Sequence, residues 1–359
     1  MRAYIPLPHG LSATAWAERH SRGEVPDASP YGLHQLTDHG IHVIFGETTL
    51  GRVGERVAAS VRYRTSGLEL VEGLVEARAR READAVLAYD ERTGVPATLL
   101  RGPGQGPIVL GVGWLTGRAA APGIHGALAA RALPRAAAVF AQCEGVLPTL
   151  HREWRVPRSR LHFVPVGIDT DFYAVQPWPE PGTPPVIASA GEDRYRDHAL
   201  LVAAVAALRA KRSPHAGSDG VRLELATGLP VDLPEELGTL YRGRLDGKMR
   251  ELYRRAAVVA IALKPTLSGS GLTVALEAMA SGRPVVMTDN PGVGDYVEHG
   301  VTGLLVPPDD VDAFAAALEA LLADPQRCAE MGAAAAVRVR DRFTSGVMAA
   351  DLAALLKKA

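Results

Sequence analysis

The stretch Gly269-Ser-Gly-Leu-Thr-Val-Ala-Leu-Glu277-Ala-Met-Ala-Ser-Gly282-Arg-Pro-Val-Val286 reads as a glycine turn, a helix and a buried strand in succession. Leu272 to Ala280 carries helix formers, so the turn Gly269-Ser270-Gly271 opens onto a helix N-terminus. Free N–H groups at such a terminus favour phosphate, and glycines let a ligand approach the backbone closely. Glu277 lies further in, beside the apolar run Val274, Ala275, Leu276. A carboxylate there needs partners, and ribose hydroxyls would serve. A plain helix–turn–strand unit with ordinary glycines reads the same way, and shape alone leaves the two open.

Outward from this stretch, short apolar runs alternate with longer helical patterns, the signature of parallel α/β structure. In the first half, Arg2–Pro6, Ile41–Phe45, Ala85–Tyr89, Ile108–Val112, Ala137–Ala141 and Leu161–Val164 predict strands. Glu69–Arg81 and His125–Leu133 predict helices. Ser29-Pro30 predicts an N-cap and a proline at the first helical position, with Gly40 ending that helix. The proline-dense segment Val175–Pro185 reads as linker or surface loop. The pattern then restarts, with strands at Val186–Ala190, Arg222–Ala226, Thr239–Tyr241, Ala257–Leu263, Pro284–Thr288 and near Val301–Val306. Helices are expected at His198–Lys211, Met249–Ala256, Val311–Ala323, Pro325–Arg340 and Thr344–Lys357. The expectation is an α/β protein of two Rossmann-like domains facing a cleft, residues 1–166 and 167–344. The final helix, within 345–359, would pack back on the first domain.

Composition narrows the function. A chain of 359 residues is long for one core, so two domains are the prior. Hydrophobic content of 47% and charged content of 22% fit a soluble globular protein. A net charge of −1 gives no pointer to nucleic acid. Cys143 and Cys328 lie far apart, with no metal spacing or disulfide framework, which fits a cytoplasmic location. No apolar run suggests a signal peptide or stable membrane insertion.

Four further segments then line up. They are Val164-Pro-Val-Gly167-Ile-Asp169-Thr-Asp-Phe-Tyr173; Tyr241-Arg-Gly243-Arg-Leu245 followed by Met249–Tyr253; Glu277-Ala-Met-Ala-Ser-Gly-Arg-Pro-Val-Val286; and Gly300-Val-Thr-Gly-Leu-Leu-Val-Pro-Pro308. In this order and spacing they resemble the retaining glycosyltransferases of family 4. The N-terminal half resembles the family only loosely. The resemblance implies the GT-B fold, with a nucleoside diphosphate sugar, UDP- or GDP-linked, in the C-terminal domain and an acceptor in the N-terminal one. It implies no metal and no other cofactor, since cationic side chains and helix N–H groups stabilise the leaving diphosphate. The acceptor would be a small molecule or lipid-linked, and the protein a monomer or homodimer.

The resemblance carries Glu277 over as the ligand of both ribose hydroxyls. Two departures stand out. Gly269 occupies the place of the first glutamate of the family's Glu, seven residues, Glu motif, which touches the donor sugar. Glu192 replaces the usual arginine, leaving Arg194 and Arg196 to supply charge to the diphosphate; a solvated cluster with Asp193 and Asp197 is the alternative. Ser270, Gly271, Leu272 and Thr273 would line the phosphates, and Lys264, at a strand end, is a third cation. Gly243, Arg244 and Leu245 would frame the base. Domain closure around the linker and the final helix would complete the site.

In the first half, Asp90 and Glu91 end a strand, and either could take a proton from the acceptor; capping of the next helix is the alternative. Trp114 and Thr116 would contact the acceptor, Trp114 as a stacking wall or as core. Gly32, in Pro30-Tyr31-Gly32, would stand near the family's first-loop glycines. Asp169-Thr-Asp171 spells the Asp-x-Asp of metal-dependent transferases but lies inside the hinge signature, and no metal is expected there. Gly102–Pro107 precedes a strand instead of following one, so a dinucleotide reading fails. Two alternatives share the fold: a non-catalytic nucleotide-sugar-binding protein and a sugar-nucleotide epimerase.

Overall fold

Two parallel six-stranded sheets organise the computed structural model, which describes residues 1–179, 184–212, 220–243 and 245–359. Each sheet belongs to one of two units. The first comprises 1–22, 27–167 and 345–359, and the second 23–26 and 168–344. The expected boundaries differ from these at Gly167 and at residues 23–26.

The first sheet runs β2-β1-β3-β4-β5-β6, with β1 Arg2–Pro6, β2 His42–Gly46, β3 Ala85–Ala88, β4 Ile108–Val112, β5 Ala138–Ala141 and β6 Leu161–Phe163. β3, β4 and β5 are buried along their whole length. That is why each reads as a continuous apolar run: helices cover both faces of a parallel sheet. Ala3 and Ile5 of β1 share a core with Leu33, Leu36 and, from the final helix Ser345–Lys358, Met348, Leu352 and Leu356. The C-terminal helix is thus part of the first unit.

Two expected helices come out differently. Pro30–His39 is a 3-10 stretch, because Tyr31 and Gly32 take left-handed conformations (φ 60° and 68°) that no helix tolerates. Gly40 ends it at φ 73°. The predicted helix 69–81 is helical only over Leu70–Val75, with a 3-10 turn at Ala79–Glu82. Where the ladder opens, the Gln105 amide donates to the Ala77 carbonyl at 2.7 Å.

The second sheet runs β12-β11-β10-β7-β8-β9. Its strands are β7 Val186–Ala190, β8 Arg222–Ala226, β9 Gly238–Tyr241, β10 Ala256–Ile261, β11 Val285–Thr288 and β12 Gly303–Val306. The order reverses direction between β7 and β10. Open α/β sheets bind ligands beyond the carboxyl ends of strands at such a reversal. Residues 23–26 join this unit through their backbone: Gly247 N–H donates to the Glu24 carbonyl and Arg250 Nη2 to the Gly23 carbonyl, each at 2.9 Å. Residues 180–183 of the proline-dense segment lie outside the described residues. Among those described, no helix is long and apolar enough to cross a membrane.

Candidate functional site

The loops that leave β7 and β10 are stitched together. Asp197 N–H donates to the Ala262 carbonyl at 2.9 Å and Lys264 N–H to the Tyr195 carbonyl at 2.8 Å. Asp197 also caps the helix His198–Arg212, its carboxylate accepting from Leu200 N–H at 3.0 Å. Asp197, named in the alternative reading as part of a solvated charge cluster, thus serves as a helix cap.

Arg196 lies over the end of β7 and is 8% exposed. A Cβ at Gly191 would stand 2.1 Å from its Nε, so only glycine leaves the guanidinium room. Asp193 Oδ2 accepts from Arg196 Nε at 2.9 Å, and Asp193 Oδ1 accepts from the Ser270 hydroxyl at 2.8 Å. Arg196 Nη1 is buried and has no hydrogen-bond partner among the described residues. It lies 3.3 Å from where a Cβ on Gly271 would stand. Gly271, at φ 83°, is the N-cap of the helix Leu272–Ala280 and offers no side chain to its first N–H groups. A buried cation with a spare donor thus meets an uncapped helix N-terminus, the chemistry of an anion site. Burial lowers the Arg196 pKa from its usual value, and Asp193 opposes the shift. A bound anion would oppose it further.

About one and a half turns along the same helix, Glu277 accepts from the Tyr173 hydroxyl at 2.9 Å and from the Tyr253 hydroxyl at 2.7 Å. Tyr253 is fully buried and Tyr173 nearly so, whereas Glu277 is half-buried. The Asp169 carboxylate accepts the N–H groups of Asp171 and Phe172, at 3.0 and 2.9 Å, and so forms the turn that places Tyr173. Arg250 lies over the Phe172 ring at 4.0 Å. Asp193, Tyr173 and Tyr253 were absent from the residues expected at the site. Tyr173 and Tyr253 each close a segment that carries the family resemblance, Val164–Tyr173 and Met249–Tyr253.

The structure gathers Arg196, Ser270, Gly271 and Leu272, with Glu277 further along the helix. Gly269 leads into the turn, and among the described residues its Cβ position meets only the Leu272 side chain, nearest at Cδ1, 3.1 Å. Thr273 is exposed. Lys264 is exposed at the end of β10, with no ion-pair partner among the described residues. Arg194 is exposed and turned onto Tyr195, donating to its hydroxyl at 2.8 Å with the guanidinium 4.9 Å from the ring centroid. Arg196, not Arg194, is the inward cation. Gly243, at φ 87°, and Leu245 flank Arg244, which lies outside the described residues.

The first unit corrects several expectations. Glu91 is 2% exposed, and its carboxylate accepts the N–H groups of Gly113, Trp114 and Leu115 at 2.9, 2.7 and 2.8 Å. Burial raises its pKa and these donors oppose the rise. Both oxygens are occupied in bracing the loop after β4, so Glu91 is no free base. Asp90 caps the helix Glu91–Leu99, accepting from Arg92 N–H at 2.9 Å, and pairs with the Arg92 guanidinium. Trp114 is 44% exposed, outside the core. Thr116 is buried and its carbonyl accepts from Trp154 Nε1 at 2.7 Å, so it presents little to a ligand. Gly32 is buried against its own unit: a Cβ there would stand 2.7 Å from Ser345 Cβ. The loop that follows β1 is instead the one containing His9 and Gly10. His9 N–H donates to Glu69 Oε1 at 2.8 Å. Desolvation raises the Glu69 pKa from 4.5 to about 7, against the pull of the His9 hydrogen bond.

Comparison with known proteins converges on one family. Residues 184–324 match the family model of glycosyl transferases group 1. A D-inositol 3-phosphate glycosyltransferase of Kribbella flavida is 47% identical over 87 residues, 24% of this chain and 20% of that protein. The chain thus matches only about a fifth of that relative's length. Sucrose-phosphate synthase from Thermosynechococcus elongatus superposes with a TM-score of 0.73 at 19% identity, covering 100% of this chain and 98% of that one. Anabaena Alr3699/HepE, solved in complex with UDP-glucose, gives 0.67 at 16% identity, covering 100% of both chains. At these identities the two structures speak for the fold, which is GT-B, with two Rossmann-like domains.

Proposed function

We propose that this chain, whose residues 184–324 form a group 1 glycosyltransferase domain, is a retaining glycosyltransferase that needs no metal. It moves a sugar from a UDP- or GDP-linked donor to a small-molecule or lipid-linked acceptor. One observation carries the donor assignment: Nη1 of buried Arg196, which has no hydrogen-bond partner among the described residues, lies beside the N-terminus at Gly271, which has no side-chain cap. A diphosphate there would take the charge-assisted donor and the free N–H groups together. Charge that develops on the leaving diphosphate falls where these donors already point, which is the electrostatic part of catalysis. Lys264, exposed at the adjoining strand end, adds a second cation. The departing phosphate then takes the acceptor's proton on the face from which it leaves, which retains the anomeric configuration. Glu277 accepts the ribose hydroxyls, and the backbone at Gly243 and Leu245 borders the base. The UDP-glucose complex of the structural neighbour supports a nucleotide sugar as donor.

Calorimetry with UDP, GDP, ADP and dTDP, in EDTA, tests this reading on wild type, Arg196→Ala and Glu277→Ala. One nucleotide bound by wild type and lost in both variants is the expected result. Failure of wild type to bind any of the four would overturn it. Once the donor is known, the anomeric configuration of the product by NMR tests retention.

A further inference from the structure

Glu192 stands where the resembling motif has arginine, and the donor reading leaves it without a task. Its backbone is pinned on both sides. The Gly191 carbonyl accepts from the Thr227 hydroxyl at 2.7 Å and from His198 Nε2 at 3.1 Å. Asp193 accepts from Arg196, from Ser270 and from the Tyr195 N–H. From this fixed point the Glu192 side chain turns toward the loop after β8, where Oε1 lies 3.3 Å from the place of a Cβ on Gly228. The carboxylate is exposed and has no hydrogen-bond or ion-pair partner among the described residues. The arginines of the adjoining loops are engaged elsewhere: Arg194 on the Tyr195 hydroxyl, Arg196 on Asp193, and Arg242 on the Leu229 carbonyl.

Strand order decides what such a carboxylate can meet. β10, β7, β8 and β9 lie side by side in that order, about 4.8 Å apart. In the donor reading the diphosphate sits at Arg196 and Gly271, beyond β7 and β10, and the base reaches toward Gly243 and Leu245, after β9. The nucleoside then passes the end of β8, where Glu192 stands. A carboxylate repels a diphosphate, and the ribose is taken by Glu277. What remains for Glu192 to accept from is the N–H edge of the base.

The bases differ on that edge. Guanine presents N1–H and its 2-amino group side by side, two donors that match the two oxygens of one carboxylate. Uracil presents a single N–H between two carbonyls. In adenine and cytosine the amino group has a ring acceptor beside it. Each of these sets an acceptor against a carboxylate oxygen, which leaves that oxygen unpaired. We propose that Glu192 selects the base, and that the donor is a GDP-linked sugar. This rests on the donor-site reading above.

The test is calorimetry with GDP, UDP and inosine diphosphate, which keeps N1–H and lacks the 2-amino group, on wild type, Glu192→Gln, Glu192→Ala and Arg196→Ala. Wild type is expected to bind GDP about tenfold or more tightly than either of the others. In both Glu192 variants the two ratios should fall several-fold toward one, with thermal unfolding unchanged because the side chain is exposed. A carboxylate that acts through charge alone would, on removal, raise the affinity of all three ligands by one factor and leave the ratios as they were. That result, or a wild type that prefers UDP to GDP, overturns the proposal. If Arg196→Ala still abolishes binding of the preferred nucleotide in that case, the donor-site reading stands without it. Absence of binding by wild type removes both.

Discussion

Asp193 holds Arg196 by one oxygen and Ser270 by the other, at 2.9 and 2.8 Å, and so links the loops after β7 and β10 through a single carboxylate. The guanidinium is fixed at Nε while Nη1 has no hydrogen-bond partner among the described residues. Asp193→Asn keeps the shape but removes the charge that holds Nε. Nucleoside diphosphate affinity is expected to fall about tenfold, because the cation must be ordered on binding. Ser270→Ala should lower affinity by less, in the same calorimetric experiment.

Gly191→Ala is expected to be more damaging than its size suggests. The added methyl would stand 2.1 Å from Arg196 Nε, at a backbone φ of 148° that side chains rarely adopt. Arg196 must leave its place. Nucleotide binding is expected to vanish with circular dichroism still showing a folded protein. Retained binding would place the diphosphate elsewhere.

Gly269→Glu restores the side chain that the resembling motif carries. Among the described residues only the Leu272 side chain stands near the new Cβ, with Cδ1 at 3.1 Å, and a side-chain end can give by a few tenths of an ångström. The variant is expected to fold, with an unfolding free energy within about 1 kcal/mol of wild type. Free diphosphate should bind as before, while affinity for the sugar-bearing donor changes. Identical turnover of an ordinary hexose donor before and after the change would count against any role of Gly269 in donor choice.

Glu91→Ala separates a brace from a base. Removing the carboxylate takes the acceptor from three N–H groups, that of Leu115 buried and those of Gly113 and Trp114 partly so, each costing about 1 kcal/mol. Urea unfolding is expected to show a loss of about 3 kcal/mol. A variant as stable as wild type but without transferase activity would return Glu91 to the chemistry.

The stability of the first unit is expected to depend on pH through Glu69. Its folded pKa is raised to about 7 from 4.5, so between these values the native state binds more protons than the unfolded one. Stability therefore falls as pH rises through this window. Wild type should lose roughly 2 kcal/mol between about pH 5 and about pH 7.5 from this group. Glu69→Gln, which keeps an acceptor for His9 N–H, should show a flatter profile in urea melts at the two pH values. Parallel profiles would mean that other buried carboxyls, such as Glu76, set the slope.

Strands were legible because burial on both faces leaves no polar alternation: Val285–Thr288 and Ile108–Val112 could hardly be anything else. The family resemblance supplied Glu277. Choices between like residues were not legible. Arg194 and Arg196 differ little in sequence, and only the contact with Asp193 and the space at Gly191 turn one inward. Asp90 and Glu91 look alike as strand-end carboxylates, and their fates depend on Arg92 and on a loop more than twenty residues on. Pro30-Tyr31-Gly32 carried a helix-start signal that the left-handed pair Tyr31–Gly32 overrides, and no propensity of tyrosine announces that conformation.

The final helix has a consequence for the order in which the protein can fold. The core around Ile5 and Leu33 is completed by Met348, Leu352 and Leu356. Gly23 and Glu24, in turn, bond to Arg250 and Gly247, more than two hundred positions later. On the ribosome the first unit emerges with one side of its core uncovered and stays so until residues 345–359 have been made. Neither half can then be finished by itself during synthesis. A dissection at residue 167 would leave the N-terminal piece without its closing helix, and isolating that unit requires joining residues 345–359 back to it.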